Sequence, residues 1–186
     1  ELGLSSAGRI LVVDDEPSVR RMLRKLLTLE GYEVIEAADG EEALEKLGIR
    51  RIDTILLDMM MPGIDGIEVC RRVRATPGVQ RVPIVFLTAS NDRQFRRLGR
   101  EAGCDDFLVK PFDEVELLAR VRNSVRLKHY YDGLERERDT LRDTVDGHTA
   151  RLDQASARLT RIQQDLRLAQ AETIHRLTRA AEFRDD

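Results

Sequence analysis

Apolar residues come first in short bursts along this chain and then in one long, regular stripe. Residues 10–13 (Ile, Leu, Val, Val) form a continuous apolar run, as a strand buried on both faces requires. Pro17 suits the first turn of a helix, with Val19, Met22, Leu23, Leu26 and Leu27 following at helical spacing and Gly31 ending it. Residues 32–37 read as a second strand, and 40–47 as a helix carrying Ala43, Leu44 and Leu47. The alternation continues with a strand at 54–57, a helix at 67–74, a strand at 82–87, a helix at 93–102 closed by Gly103, and a short strand at 107–109. Asp113 is placed to cap a last helix that begins near Glu114. Five strand–helix repeats predict an α/β fold, a doubly wound parallel sheet with helices on both faces.

The punctuation then changes. All five prolines (Pro17, Pro62, Pro77, Pro83, Pro111) precede residue 112, and the remaining 75 residues hold no proline and only two glycines, Gly133 and Gly147. Proline blocks helix interiors, so this stretch is free to form one very long helix. Steps of four and three from Leu127 visit Tyr131, Leu134, Arg138, Leu141, Val145, His148, Leu152, Ala155, Leu159, Ile162, Leu166 and Ala169. Eleven of these thirteen are apolar or aromatic, which makes a heptad seam and predicts a parallel two-stranded coiled coil, hence a homodimer. Arg138 and His148 interrupt the seam, and polar seam positions fix register at some cost in stability. In such a pair Glu137 faces Arg142 of the second copy. After Ala169 the phase shifts toward Ile174, Leu177 and Ala181, as at a stutter. A lone helix of this kind would otherwise pack on a further domain or fray. The expected organisation is a disordered tail over 1–8, an α/β domain over 9–127 and a helical coiled-coil segment over 128–186.

Composition narrows the classes. With 41% hydrophobic and 4% aromatic residues there is material for one modest core. A net charge of -3, with 11 basic against 12 acidic residues over 127–186, argues against a nucleic-acid partner. No apolar run approaches the ~18 residues that span a bilayer, and residues 1–8 lack signal-peptide blocks, so no membrane role and a cytoplasmic location are expected. Cys70 and Cys104 lack metal-type spacing and read as reduced, buried thiols. His129, His148 and His175 have no metal-type neighbours, and the Met59–Met60–Met61 run reads as loop and core filler.

The polar residues that follow the strands are more pointed. Asp14 and Asp15 follow the first strand, Asp58 the third, Thr88 the fourth and Lys110 the fifth. In a parallel sheet all five project from one edge, outside the carboxyl ends where ligands bind. Taken singly, each is an ordinary helix cap or loop residue. Together, three crowded carboxylates call for a cation, and an all-oxygen site with open positions suits Mg²⁺. A lysine and a hydroxyl opposite them are the groups that hold phosphate oxygens at phosphoryl-transfer sites.

On these pieces the chain resembles the response-regulator receiver family. The matching segments are the apolar run into Asp14, Asp15 and Glu16; Asp58 with Pro62, Gly63 and Gly66; Thr88 with Ala89; and Gly103 through Phe107 to Lys110, Pro111 and Phe112. The resemblance covers residues 8 to 127 and implies strand order 2-1-3-4-5. It implies that Asp58 is a phosphoacceptor served by a sensor histidine kinase. Asp15 and Asp58 would ligate Mg²⁺ directly, Asp14 through water, and the Met60 backbone carbonyl would add an oxygen. Lys110 would pair with Asp58 at rest and with phosphate afterwards, while Thr88 and Phe107 would act as the switch. Met60 and Ser90 would flank the water route to the phosphate. Such a receiver catalyses only its own phosphotransfer and dephosphorylation. Residues 170–186 resemble the helix that leads into an HD-GYP phosphodiesterase domain acting on cyclic di-GMP, but no His-Asp metal pair or Gly-Tyr-Pro motif is present. Two rivals remain at this point. An aspartate-nucleophile phosphatase would need a second Asp two residues after Asp58, where Met60 stands. A structural coiled-coil adaptor with a degenerate receiver would not need the full acid and lysine set.

Overall fold

The computed structural model of the chain describes residues 7–89 and 93–182. Strand and helix alternate as β1 Arg9–Val13, α1 Pro17–Leu29, β2 Glu33–Ala37, α2 Gly40–Ile49, β3 Thr54–Asp58, α3 Gly66–Ala75, β4 Ile84–Thr88, α4 Arg93–Ala102, β5 Asp106–Val109 and α5 Glu114–Glu182. The sheet has order β2-β1-β3-β4-β5 with every pairing parallel. This is the flavodoxin-like arrangement, and its register sets Val13 beside Leu57, Asp58 beside Leu87 and Thr88 beside Val109. The carboxyl ends of the central strands therefore finish on one edge.

The period of two along each strand builds two cores. Leu11, Val13, Ile55, Leu57, Ile84 and Phe86 face a layer with Ala43, Leu47, Val69, Cys70, Val73 and Ala102 from α2, α3 and α4. Ile10, Val12, Leu56, Val85 and Leu87 face Leu23, Leu27, Leu117, Leu118, Val121 and Val125 from α1 and α5. Continuous apolar runs are thus what strands covered on both sides demand. Three helices begin on an aspartate whose carboxylate accepts a backbone N–H: Asp39 from Glu42 (2.8 Å), Asp65 from Glu68 (2.8 Å) and Asp113 from Glu116 (2.7 Å). Gly31 leaves α1 at φ +85°, a left-handed conformation that favours glycine.

The apolar pattern misleads at two places. Met22, expected on the inner face of α1, is 44% exposed, whereas Leu23 and Leu27 are buried. Strand β4 starts at Ile84 rather than Val82, because Pro83 has no N–H to give a ladder; its carbonyl still accepts from Ile55 N (2.9 Å) and Thr54 Oγ1 (3.1 Å). The methionine run divides into core and loop as expected, with Met59 and Met61 buried and Met60 65% exposed.

Strand β2 forms one rim of the sheet and is dressed in charge. Glu33 pairs with Arg9 at 2.7 Å, Glu36 with Arg24 at 3.4 Å, and Lys46 Nζ donates to the Glu36 carbonyl at 2.5 Å. Ala7 and Gly8 run beside it, with Ala7 N donating to Gly31 O and Glu33 N to Gly8 O; the rest of the tail expected over 1–8 lies outside the described residues.

The chain divides into two compact units, Glu1–Leu134 and Glu135–Asp186. At the floor of the first, Asp132 pairs with Lys128 and, at 2.7 Å, with Arg51, while Asp53 accepts from Arg9 N at 2.7 Å. The second is helical through Glu182, and Leu141, Val145, Leu152, Leu159, Ile162 and Leu166 on its seam are each exposed by half or more. No helix among the described residues is long and apolar enough to cross a membrane.

Candidate functional site

Asp58 is the last residue of β3, buried to 8% exposure, and the start of α3 closes on its backbone carbonyl. That closure needs Gly66: any Cβ there would overlap the Asp58 carbonyl oxygen, and the Gly66 N–H bonds Met59 O at 3.1 Å. Asp14 and Asp15 follow β1, the first fully buried and the second exposed. Each of Asp14, Asp15 and Asp58 offers a carboxylate oxygen within 4.8 Å of the others. Lys110, just past β5 and joined to Pro111 by a cis peptide, reaches across the edge. Its Nζ donates to Asp14 Oδ2 at 2.7 Å and to Asp58 Oδ1 at 3.0 Å. Thr88 ends β4 at 4% exposure, and its carbonyl accepts from Lys110 N at 2.7 Å.

The structure thus gathers Asp14, Asp15, Asp58 and Lys110 into one cluster and puts Thr88 on the adjoining strand end. The Lys110–Asp14 contact is an addition to the expected pairing with Asp58. Burial pushes the Asp58 carboxyl above its ordinary range; the Lys110 hydrogen bond and charge oppose this, and the charges of Asp14 and Asp15 add to it. Burial draws Lys110 down, but the bonds and charges of Asp14 and Asp58 outweigh it and hold the ammonium above its ordinary value. Three carboxylates against one ammonium leave two negative charges on the edge. An oxygen-only donor set with that surplus fits a divalent cation such as Mg²⁺.

The turn bearing the two acids has its own support. Glu16 N donates to Asp14 Oδ1 at 2.9 Å, Asp14 N to Ala37 O at 3.3 Å, and Arg20 Nη1 to Asp14 O at 2.6 Å. Arg20 was not among the residues the sequence singled out; it is one of several arginines on α1, and only its reach back to the turn distinguishes it. Phe107 in β5 is half-buried, 5.9 Å from the Phe86 ring centroid, over Gly99 and beneath the Arg96 guanidinium at 6.0 Å. Ser90 lies outside the described residues. Cys70 and Cys104 are free thiols; burial pushes Cys70 up to about 11 and Cys104 up to about 12. Both are therefore poor nucleophiles.

The profile of the response regulator receiver domain matches residues 10–122. This chain belongs to the response regulator receiver family. Among curated relatives, Response regulator PleD of Caulobacter vibrioides is 43% identical over 166 residues, 88% of this chain and 37% of PleD. The receiver chain thus spans well under half the length of that relative. A response regulator from Chloroflexus aurantiacus J-10-fl superposes with TM-score 0.62 at 43% identity, covering 64% of this chain and 98% of that one. The receiver domain of the sensor histidine kinase PA1611 from Pseudomonas aeruginosa PAO1, solved with a magnesium ion in its active site cleft, gives TM-score 0.60 at 35% identity, covering 63% of this chain and 97% of that one.

Proposed function

We propose that Asp58 takes a phosphoryl group from a sensor histidine kinase and that the added charge switches the receiver. The observation that carries this reading is Lys110 spanning Asp14 and Asp58, with Asp15 completing the carboxylate cluster. In the reaction an Asp58 oxygen attacks phosphorus on the kinase's phosphohistidine. The O–P bond forms as the P–N bond breaks, and the electron pair returns to the imidazole. Asp15, Asp58 and the Met60 carbonyl would hold Mg²⁺ directly and Asp14 through water. Bound there, Mg²⁺ screens the nucleophile's charge from the incoming phosphate. The magnesium in the PA1611 receiver's cleft supports Mg²⁺ as the cation.

The phosphate adds nearly two negative charges and new acceptors. Lys110 then exchanges a carboxylate partner for a phosphate oxygen, and the Thr88 hydroxyl is drawn toward it. Phe107, on β5 just before Lys110, follows the space that Thr88 vacates. The conformer with both residues drawn in gains from phosphate and the other does not, which is how a charge becomes a switch. Met60 and Ser90 would set water access and hence the lifetime of the acyl phosphate.

The helical seam supports a parallel coiled-coil homodimer as the transmitting element, and the likeness of residues 170–186 to an HD-GYP leading helix supports a cyclic di-GMP phosphodiesterase as the effector. A His-Asp pair and Gly-Tyr-Pro motif encoded after Asp186 is the expected finding, and their absence there overturns the phosphodiesterase assignment.

The direct test uses Mg²⁺ and acetyl phosphate as donor, with intact mass as readout. The wild-type chain gains one phosphate, Asp58→Asn gains none, and both keep the same fold by circular dichroism. Labelling of Asp58→Asn at the wild-type level, or none of the wild type, overturns the assignment.

A further inference from the structure

We propose that Arg20 is a positioning residue that builds the cation site by fixing the peptide between Asp14 and Asp15; this rests on the Mg²⁺-dependent receiver reading above. Arg20 lies in the first turn of α1, with its backbone N–H on Glu16 O at 3.2 Å. Its guanidinium turns back to donate 2.6 Å to the Asp14 carbonyl. That oxygen belongs to the planar unit that also carries the Asp15 nitrogen, so holding it fixes the direction in which Asp15 leaves the strand. Asp14 is itself fully buried, with Glu16 N–H on one carboxylate oxygen and Lys110 on the other. Asp15 is exposed, and its placement depends on the peptide before it. Arg20 also bears on the neighbouring turn, where its charge helps hold the Glu42 carboxyl below its ordinary range, after the larger effects of Ala38 N–H and Lys46.

Charge and geometry predict opposite outcomes. A guanidinium beside a cation site repels the cation, so a residue acting only through charge would bind Mg²⁺ more weakly when present and its removal would tighten binding. A residue that aims an oxygen ligand does the reverse, and outer partners of metal ligands are typically worth about 10- to 100-fold in affinity.

The test is a Mg²⁺ titration of the full chain at fixed ionic strength, followed by calorimetry and backbone amide shifts, with thermal midpoints taken without Mg²⁺. Arg20→Met is expected to weaken Mg²⁺ binding about tenfold with its midpoint within a few degrees of wild type, and Arg20→Lys to fall between the two. Unchanged or tighter binding by folded Arg20→Met overturns the proposal. Should Arg20→Met not fold, Arg20→Lys decides: affinity several-fold below wild type supports the proposal, and wild-type affinity overturns it. A wild-type chain that does not bind Mg²⁺, or Asp58→Asn binding it as tightly as wild type, sinks the receiver reading itself and this inference with it.

Discussion

At the scale of single residues, the Asp58 carboxyl is harder to ionise in the folded chain than in the unfolded one, because burial raises it. Stability linked to this group is complete below the unfolded carboxyl's range and is lost as pH rises through the folded value. Asp58→Asn removes that loss. Without Mg²⁺ the variant should melt close to wild type near pH 4 and above it at pH 7. Equal midpoints at both values would contradict it. Gly66 makes the opposite case: Gly66→Ala forces α3 off the Asp58 carbonyl and should cost about 2 kcal/mol in denaturant unfolding, the scale of an overpacked core. The acids were legible in the sequence because each ends an apolar run, so strand direction alone aims them at one edge. Arg20 and the Lys110–Asp14 bond were not, since periodicity marks an α1 arginine only as outward and polar. Met22 was misread for the converse reason: helical spacing admits it to the apolar stripe, but its place at the margin leaves it in water.

At the scale of elements, the Asp113 cap was readable, and of the strand starts only that of β4 was misplaced by more than one residue. Asp113 before an apolar-periodic stretch predicts the α5 cap that the structure shows, and replacing it with Ala should cost about 1 kcal/mol. The start of β4 depends on a proline carbonyl accepting from β3, which no local pattern reveals. The heptad stripe of α5 predicts a seam, and its residues stand exposed beyond Leu134. Leu152→Glu together with Leu159→Glu places like charges at the same seam position of successive heptads, so a wild-type dimer should become a monomer at concentrations on the order of tens of micromolar by sedimentation equilibrium. Wild-type chain already monomeric under those conditions defeats the pairing.

At the scale of the whole molecule, the acid cluster, both cores and the Arg51–Asp132–Lys128 floor all fall within Glu1–Leu134. A fragment ending at Leu134 should therefore bind Mg²⁺ within about twofold of the full chain, measured by the same titration, and sediment as a monomer. A tenfold weaker fragment would show that the site needs the rest of α5. The fold class was legible because five apolar bursts and four interleaved amphipathic stretches admit few topologies; the strand order came from resemblance, since periodicity does not say which strand lies beside which. The rim at β2 has one more consequence. A sheet with an open border is a template on which further copies can grow, strand onto strand. Here newcomers would have to strip water from Glu33, Glu36, Arg24 and Lys46 before finding a single backbone partner. Crowded copies of this protein therefore meet, at the β2 border, a poor seed for an amyloid-like fibre.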